Sequence, residues 1–433
     1  MKIVLIAGFS NVEIREHLEF KKDSHWYHWL IRMFRLPARV GELRDHAPWI
    51  PSIITSFESR KDVELHVVGP HIRLKRPIEE FVLRGVNYHF FQSEWTELMR
   101  KTGNYNLWKH LQRSGYYTRK IIDKIQPDLV VLSGAENPAT SVSILYAQKY
   151  PRLCLCQTIY NNSEREKYSH PNRLIRDMEK DIFSQLKCFG VYSSMHYKLL
   201  RNFRPDATIF KFGYPSKGDL LEPTEVEKEY DFVNFALMHG SRKGTPDSIR
   251  ALAIVKKKYP NVTLNIVGGC DLSRLESLKQ LCEEMEVRDN VIFTPFFEKK
   301  EDLLLHVQKS RFAVLPCKLD HRAGTMSQSM QLGLPLIVYK TTGTPAFNRE
   351  KQCALIAEKE NDEQLAQHML SLLDNPELAE TLRVNAHEFQ EKKAARARQN
   401  GDRLYATFKA VIGHEKNGNE IPQELLFNLE KDD

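Results

Sequence analysis

Two stretches of this chain combine glycine with basic and amide side chains in a spacing suited to holding an anion. Met238-His-Gly-Ser-Arg-Lys-Gly244 stands between an apolar run and a helical pattern. Gly240 and Gly244 permit a tight turn that brings backbone close to a ligand. Arg242 and Lys243 add positive charge, and a helix start with unpaired N–H groups favours phosphate. A basic surface turn is the competing reading of the same residues. Leu315-Pro-Cys-Lys-Leu-Asp-His-Arg-Ala-Gly-Thr-Met-Ser-Gln328 repeats the arrangement. Here Gly324 and Thr325 open a helix whose first amides form a second candidate anion nest. Arg322 can pair with a phosphate, and Gln328, one turn further on, can hydrogen-bond sugar hydroxyls. A helix that simply begins Gly-Thr is the alternative. A third stretch, Gly8-Phe-Ser-Asn11, follows the first apolar run but lacks G-x-G-x-x-G, so a dinucleotide fingerprint is not supported. Glu136 and Asn137 follow the apolar run 128–133, which places them at the same edge as Gly8 and Asn11, as substrate candidates. No Ser-His-Asp or Cys-His order stands out. Cys154-x-Cys156 has no second half, so no zinc site is expected.

The elements that must position these residues alternate between strand and helix. Apolar runs at 2–7, 63–68, 86–91 and 128–133 read as strands, with weaker ones at 152–159 and 189–192. Helical periodicity covers 106–124, 139–149, 171–187 and 195–202. The pattern restarts after Phe212-Gly-Tyr-Pro-Ser-Lys-Gly218, a Gly/Pro joint followed by an acidic stretch at 222–230. Strands are then expected at 231–238, 264–267 (ending in Gly268-Gly269), 291–293, 312–316 and 336–339. Helices fall between them at 246–259, 273–285, 300–309 and 325–332. Such alternation predicts an α/β chain with two doubly wound domains joined near residue 213. Ligands of open parallel sheets bind beyond the carboxyl ends of the strands, so two facing domains would form a cleft. The acidic tail after Asn417 is expected to be poorly ordered.

Composition narrows the class of protein. The 433 residues are 42% hydrophobic and 27% charged, which excludes a disordered chain, a fibre or a multi-span membrane protein. No apolar run reaches the roughly 18–20 residues that cross a bilayer. The opening Met-Lys-Ile-Val-Leu-Ile-Ala-Gly reads as a buried strand and not a signal peptide. Seven cysteines, an odd number scattered over the chain, point to free thiols in the cytoplasm. The net charge of +7 falls wholly within residues 1–120, which hold 20 Lys and Arg against 13 Asp and Glu. Its sharpest part is segment 24–39. Trp26, Trp29, Leu30, Met33 and Phe34 recur there at helical spacing, with Arg32, Arg35 and Arg39 around them. Such a helix suits an anionic membrane surface, or packs on its own domain with the arginines solvated. No nucleic-acid recognition motif is present.

The second half also carries an ordered series of motifs: Arg242-Lys-Gly244, Leu264-Asn-Ile-Val-Gly-Gly269, Val291-Ile-Phe-Thr294, Phe312-Ala-Val-Leu-Pro316, Met330-Gln-Leu-Gly-Leu-Pro-Leu-Ile-Val338, and Asp362-Glu-Gln-Leu-Ala366 followed by Leu372-Leu-Asp-Asn-Pro376. In that order they resemble the GT-B glycosyltransferases of family 4 over residues 230–395. The N-terminal half fits by fold pattern alone. The resemblance implies a GT-B fold with two Rossmann-like domains facing a central cleft. Residues 1–212 would bind the acceptor and 213–395 the nucleotide sugar. Within 396–433, a C-terminal helix would return to the first domain ahead of the acidic tail. It implies a UDP- or GDP-sugar donor used as substrate, a glycan or lipid-linked saccharide acceptor, retention of configuration, no other cofactor and no essential metal. The family's diphosphate lysine matches Lys243. Its arginine position is Met238, with Arg242 as the substitute. Its two glutamates fall at Asp320 and Gln328, and His321-Arg-Ala-Gly-Thr325 departs from the family's Gly-Phe-Gly. On this basis Asp320, Lys243 and Arg242 are the catalytic candidates. Gly240, Gly244, Gly268, Arg322, Gly324, Thr325 and Gln328 are the donor-binding ones, and Gly8, Asn11, Glu136 and Asn137 face the acceptor. The implied activity is hexosyl or N-acetylhexosaminyl transfer in bacterial surface-polysaccharide or glycolipid assembly. Met238 and Gln328 keep open a catalytically silent GT-B subunit that binds an acceptor or stabilises a partner enzyme. A nucleotide-sugar epimerase is a third reading.

Overall fold

The computed structural model describes residues 1–21, 47, 49–92, 108–135, 138–161, 173–216, 220–236, 241–319 and 324–429. The basic aromatic segment 24–39 lies outside them. The described residues divide into two compact units: one of 1–161, 173–216 and 397–429, the other of 220–396.

The first unit is built on an eight-stranded sheet of β1 (Lys2–Ile6), β2 (Glu64–His71), β3 (Ile78–Leu83), β4 (Val86–Gln92), β5 (Leu129–Ser133), β6 (Arg152–Leu155), β7 (Cys188–Val191) and β8 (Thr208–Lys211). Its spatial order is β3-β4-β2-β1-β5-β6-β7-β8. All neighbours are parallel except β3 and β4. Those two form a hairpin through Arg84 and Gly85, both at positive φ (48° and 79°), the geometry a two-residue turn needs. β1 and β5 are buried on both faces, which is why they read as unbroken apolar runs. Side chains alternate between the faces: Val4, Ile6, Val130 and Leu132 enter one core, Ile3, Leu5, Leu129 and Val131 the other. The first face is covered by helices Trp108–Ile125, Pro138–Leu145, Arg173–Gln185 and Ser194–Phe203, the second by Val12–Glu16 and Ile50–Glu58.

The second unit carries β9 (Tyr230–Phe235), β10 (Leu264–Val267), β11 (Val291–Thr294), β12 (Ser310–Leu315), β13 (Leu336–Tyr339) and β14 (Ala354–Ala357). They form an all-parallel sheet in the order β11-β10-β9-β12-β13-β14. Numbered within the unit, this is the 3-2-1-4-5-6 order of a Rossmann sheet. Helices Thr245–Lys256, Leu272–Glu284 and Asp362–Asp374 pack on one face, Lys300–Val307 and Gly324–Gln331 on the other.

The structure adds elements beyond the expected ones and corrects the tail. β3, β8, β14 and helix Ile50–Glu58 lie where no element was expected, and the strand expected at 152–159 ends at Leu155. Helix Pro376–Asn417 begins in the second unit and from Ala397 belongs to the first. There Leu404, Phe408 and Val411 enter the core beneath β1 and β2, with Phe408 stacked on Phe57 at 5.3 Å. Residues 418–429 are tied down, contrary to the expectation of disorder after Asn417. Leu425 and Phe427 are buried, and the Phe427 amide donates to the Ile209 carbonyl of edge strand β8 at 2.9 Å. Two apolar anchors outweigh the acidic composition and shield an open strand edge. Among the described residues no helix is long and apolar enough to cross a membrane.

Phe408→Ala is expected to cost the first unit about 3–5 kcal/mol, the usual loss for emptying a buried aromatic site. Differential scanning calorimetry should show a lowered transition for that unit, and a transition assigned to the isolated 218–396 region should not move.

Candidate functional site

In a parallel sheet the crossover direction changes at one place, and the two connections there leave to opposite faces. In the second unit this place lies between β9 and β12. Helix Thr245–Lys256 follows β9 onto one face, and helix Gly324–Gln331 follows β12 onto the other. The described parts of the two glycine-containing stretches, 241–244 and 315–319 with 324–328, therefore lie at one switch point, at the carboxyl edge.

The connection after β9 runs through a 3-10 turn, Ser241–Lys243, to Gly244. Gly244 has φ +70°, and a Cβ there would stand 2.0 Å from the Pro316 carbonyl oxygen at the end of β12. The two connections thus touch backbone to backbone, and the Lys318 amide donates to the Arg242 carbonyl at 2.8 Å. Arg242 and Lys243 are half-buried at the entry to the helix. Gly268, at the end of β10, repeats the device. Its φ is +146°, and a Cβ would lie 2.0 Å from the Ala236 carbonyl oxygen beyond β9. Gly324 differs, because a Cβ there would meet nothing within 4 Å. Met326 and Met330 seat its helix in the core, so Thr325 and Gln328, three residues apart, share a half-buried side. Gly240, Asp320 and Arg322, like Met238, lie outside the described residues.

Behind this crevice sits an ionic cluster that the sequence reading missed. Asp247, in the first turn of helix Thr245–Lys256, is 1% exposed. Its Oδ1 lies 3.0 Å from Lys318 Nζ, 3.0 Å from an Arg250 guanidinium nitrogen and 3.4 Å from the Tyr339 hydroxyl. Lys318 Nζ also reaches Glu360 at 3.0 Å, and Arg250 and Tyr339 both bond Asp362. Burial pushes the Asp247 carboxyl above the usual carboxylate range, with Lys318 and Arg250 opposing it. Burial also works against the Lys318 charge, but hydrogen bonds to Asp247 and Glu360 outweigh it and hold the ammonium above its ordinary pKa. Lys318 stands two residues after Pro316, which was the one available signal. Its partner lies 71 positions away in the chain, so the pairing was not legible.

The first unit has the corresponding switch between β1 and β5. Gly8 is half-buried beyond β1. Asn11 caps helix Val12–Glu16, its side-chain oxygen accepting from the Ile14 amide at 2.8 Å. Glu136 and Asn137 lie outside the described residues, just past Gly134 at φ +80°. Two groups that the sequence reading left out converge on the same edge. Ser10, buried, accepts from Arg15 at 3.1 Å. His71, buried at the end of β2, has Nδ1 at 3.0 Å from the Ile72 carbonyl and Nε2 at 3.3 Å from Ser10 Oγ. A carbonyl only accepts, so Nδ1 carries a proton and donates it to Ile72. A separate recess of about 930 Å³, lined in part by Tyr197, Arg201, Thr208 and His414, lies beside the amino end of β8, away from this edge. Among the described residues no three His, Cys, Asp or Glu side chains converge as a metal-ligand set.

Two Rossmann-like sheets with their candidate groups at the carboxyl edges define an α/β protein of the GT-B class. Sucrose-phosphate synthase from Thermosynechococcus elongatus is similar with a TM-score of 0.65 and 14% identity, over 95% of this chain and 99% of that one. The E. coli trehalose-6-phosphate protein bound with UDP-2-fluoro glucose gives 0.66 and 9%, over 94% and 99%. Anabaena HepE in complex with UDP-glucose gives 0.61 and 12%, over 94% and 100%. No curated protein matches the sequence. Residues 222–389, most of the second unit, match the model of the family of glycosyl transferases group 1.

The two kinds of glycine predict opposite outcomes. Gly244→Ala should destabilise the second unit by more than about 1–2 kcal/mol, since left-handed backbone and a carbonyl clash add together. Gly324→Ala should leave stability within about 0.5 kcal/mol of the parent. Urea unfolding of both variants checks the pair.

Proposed function

We propose that the protein is a cytoplasmic, retaining glycosyltransferase that moves a hexosyl or N-acetylhexosaminyl group from a UDP- or GDP-sugar to a glycan or lipid-linked acceptor in bacterial surface-polysaccharide or glycolipid assembly. One observation carries the reading. Arg242, Lys243 and the starts of helices Thr245–Lys256 and Gly324–Gln331 are gathered at one switch point of a parallel sheet. The donor's leaving group is a nucleoside diphosphate, and negative charge grows on its oxygens as the glycosidic bond breaks. Fixed cations and main-chain amides already aimed at that charge are the largest kind of catalytic contribution, about 3–4 kcal/mol per donor group. They also take over the role a metal would play. UDP-sugars bound by the similar E. coli and Anabaena proteins support a UDP-sugar here.

In this reading Lys243, Arg242 and Asp320 act at the reacting end of the donor. Gly240, Gly244, Gly268, Arg322, Gly324, Thr325 and Gln328 hold its diphosphate and ribose. The acceptor lies against Gly8, Asn11, Glu136 and Asn137. Asn11 has committed its side-chain oxygen to a helix cap, so its contact falls to the amide nitrogen. The departing phosphate can itself take the acceptor's proton, so a dedicated protein base is optional. Segment 24–39 would dock the enzyme on an anionic membrane carrying the acceptor. Met238 and Gln328 favour a second reading, a catalytically silent subunit. Donor hydrolysis or transfer by the purified chain separates the two.

A thermal-shift screen over UDP-, GDP-, ADP- and CMP-sugars tests the donor. The cognate sugar at 100 times its dissociation constant should add about 2.7 kcal/mol, and Lys243→Ala should abolish that gain. Stabilisation that survives the substitution, or none from any nucleotide sugar, refutes the assignment. For the membrane contact, flotation with anionic liposomes should carry the protein upward and fail after replacement of Trp26 and Trp29. Flotation indifferent to those tryptophans removes the proposed anchor.

A further inference from the structure

The buried cluster behind the crevice has features that fold stability does not require. Asp247 and Lys318 are almost wholly removed from water, a position in which an ion pair often stabilises no more than well-packed apolar side chains would. The pair also stands where the chain could have used hydrophobic residues, because Leu252 and Val255 on the same helix are fully buried in the core. Asp247 Oδ2 is buried with no hydrogen-bond partner among the described residues, so the carboxylate is held by one oxygen only. The groups that gather round it come from the carboxyl ends of four strands. Asp247 follows β9, Lys318 follows β12, Tyr339 ends β13, and Glu360 and Asp362 follow β14. Each face of the contact is also fixed by main chain: Lys318 N–H to the Arg242 carbonyl at 2.8 Å, and Gly244 against Pro316.

We infer that Lys318 and Asp247 are positioning residues of the donor site, their ion pair holding stretch 316–319 against Arg242–Gly244 so that the two anion-binding connections keep one spacing. The inference rests on reading this edge as the seat of a nucleotide diphosphate. Neither residue is placed on the ligand; both act through the backbone they fix. The physical logic is preorganisation. A diphosphate spans both connections, and donors held at the right separation beforehand need no rearrangement when it binds. An ion pair sets that separation more narrowly than apolar packing, because its energy depends on distance and direction while burial of apolar area does not.

The test uses the full-length chain and three variants: Lys318→Met, Lys318→Arg, and Lys318→Met combined with Asp247→Asn. Two readouts are taken below the unfolding range. One is amide hydrogen exchange over 241–248 and 312–319 in the ligand-free protein. The other is the calorimetric dissociation constant for UDP and for GDP. Lys318→Met is expected to speed exchange in both stretches at least tenfold and to weaken nucleotide binding about tenfold, equivalent to about 1.4 kcal/mol. Lys318→Arg should restore most of both. The double variant removes the stranded carboxylate, so it should regain thermal stability but neither exchange protection nor affinity. A merely structural pair predicts the opposite, with all three recovering together, and that result overturns the inference. Unchanged exchange in the double variant overturns it as well, even if Lys318→Met fails to fold. If the parent protein binds neither nucleotide, the functional reading falls, and the exchange comparison still decides whether the pair sets the loop spacing.

Discussion

A parallel sheet cannot hide the place where its connections part. Right-handed crossovers put each helix on a face dictated by the direction in which the next strand is added. The sheet grows outward both ways from β1 in the first unit and from β9 in the second. At those two strands the chain therefore leaves for one face, while the neighbour on the other side, β5 or β12, sends its helix to the opposite face. Between the diverging helices lies a gap bordered by helix amino termini. The described candidates Arg242, Lys243, Gly244, Thr325 and Gln328 lie on the connections that border the second gap, and Gly8 and Asn11 on one that borders the first.

Keeping the second gap in shape takes two opposed devices. Gly244 and Gly268 let backbone approach backbone to distances that a Cβ would forbid. Close approach alone would leave the connections free to slide, and the cluster around Asp247 opposes that. Its composition is costly, since removing one member of a buried pair strands the other, typically at about 3–5 kcal/mol. Lys318 is satisfied on both sides, by Asp247 and by Glu360, which is what makes its burial tolerable. Tyr339 closes the arrangement between Asp247 and Asp362; burial raises its phenol far above the ordinary range, so it stays a neutral donor.

Much of this architecture was legible in the sequence, and the parts that were not share a physical cause. The runs that became β1 and β5 stand out because strands covered on both faces are largely apolar. The restart near residue 213 and the glycines of both connections were visible for the same local reason: the signal and its cause occupy the same few residues. β3 carries Glu79 and Glu80 on an edge strand and so lacks that pattern. β8 is four residues long and gains its burial from Phe427, more than 200 positions away. The long helix Pro376–Asn417 has a weak apolar stripe because its two ends serve different cores. Lys318 and Asp247 read as surface charges until folding brings them together. Ser10 and His71 are individually unremarkable polar residues that acquire a relation only through the pairing of β1 with β2.

The chemical contrast between the two gaps bears on the proposed division of labour. Around β9 and β12 the chain offers Arg242 and Lys243, cations that favour an anion. Around β1 and β5 the described groups are of another kind. A serine hydroxyl lies between a guanidinium and an imidazole, and Gln157 donates to Ser133 at 2.7 Å. Arg15 donates to Ser10 through one guanidinium nitrogen. Hydroxyls and amides both donate and accept, as the hydroxyls of a saccharide do. Had both gaps been cationic, a second phosphate-bearing partner would be the natural counterpart of the first. Among the described residues the two gaps differ in kind, and it is on this contrast that the proposed division into a donor and an acceptor side rests.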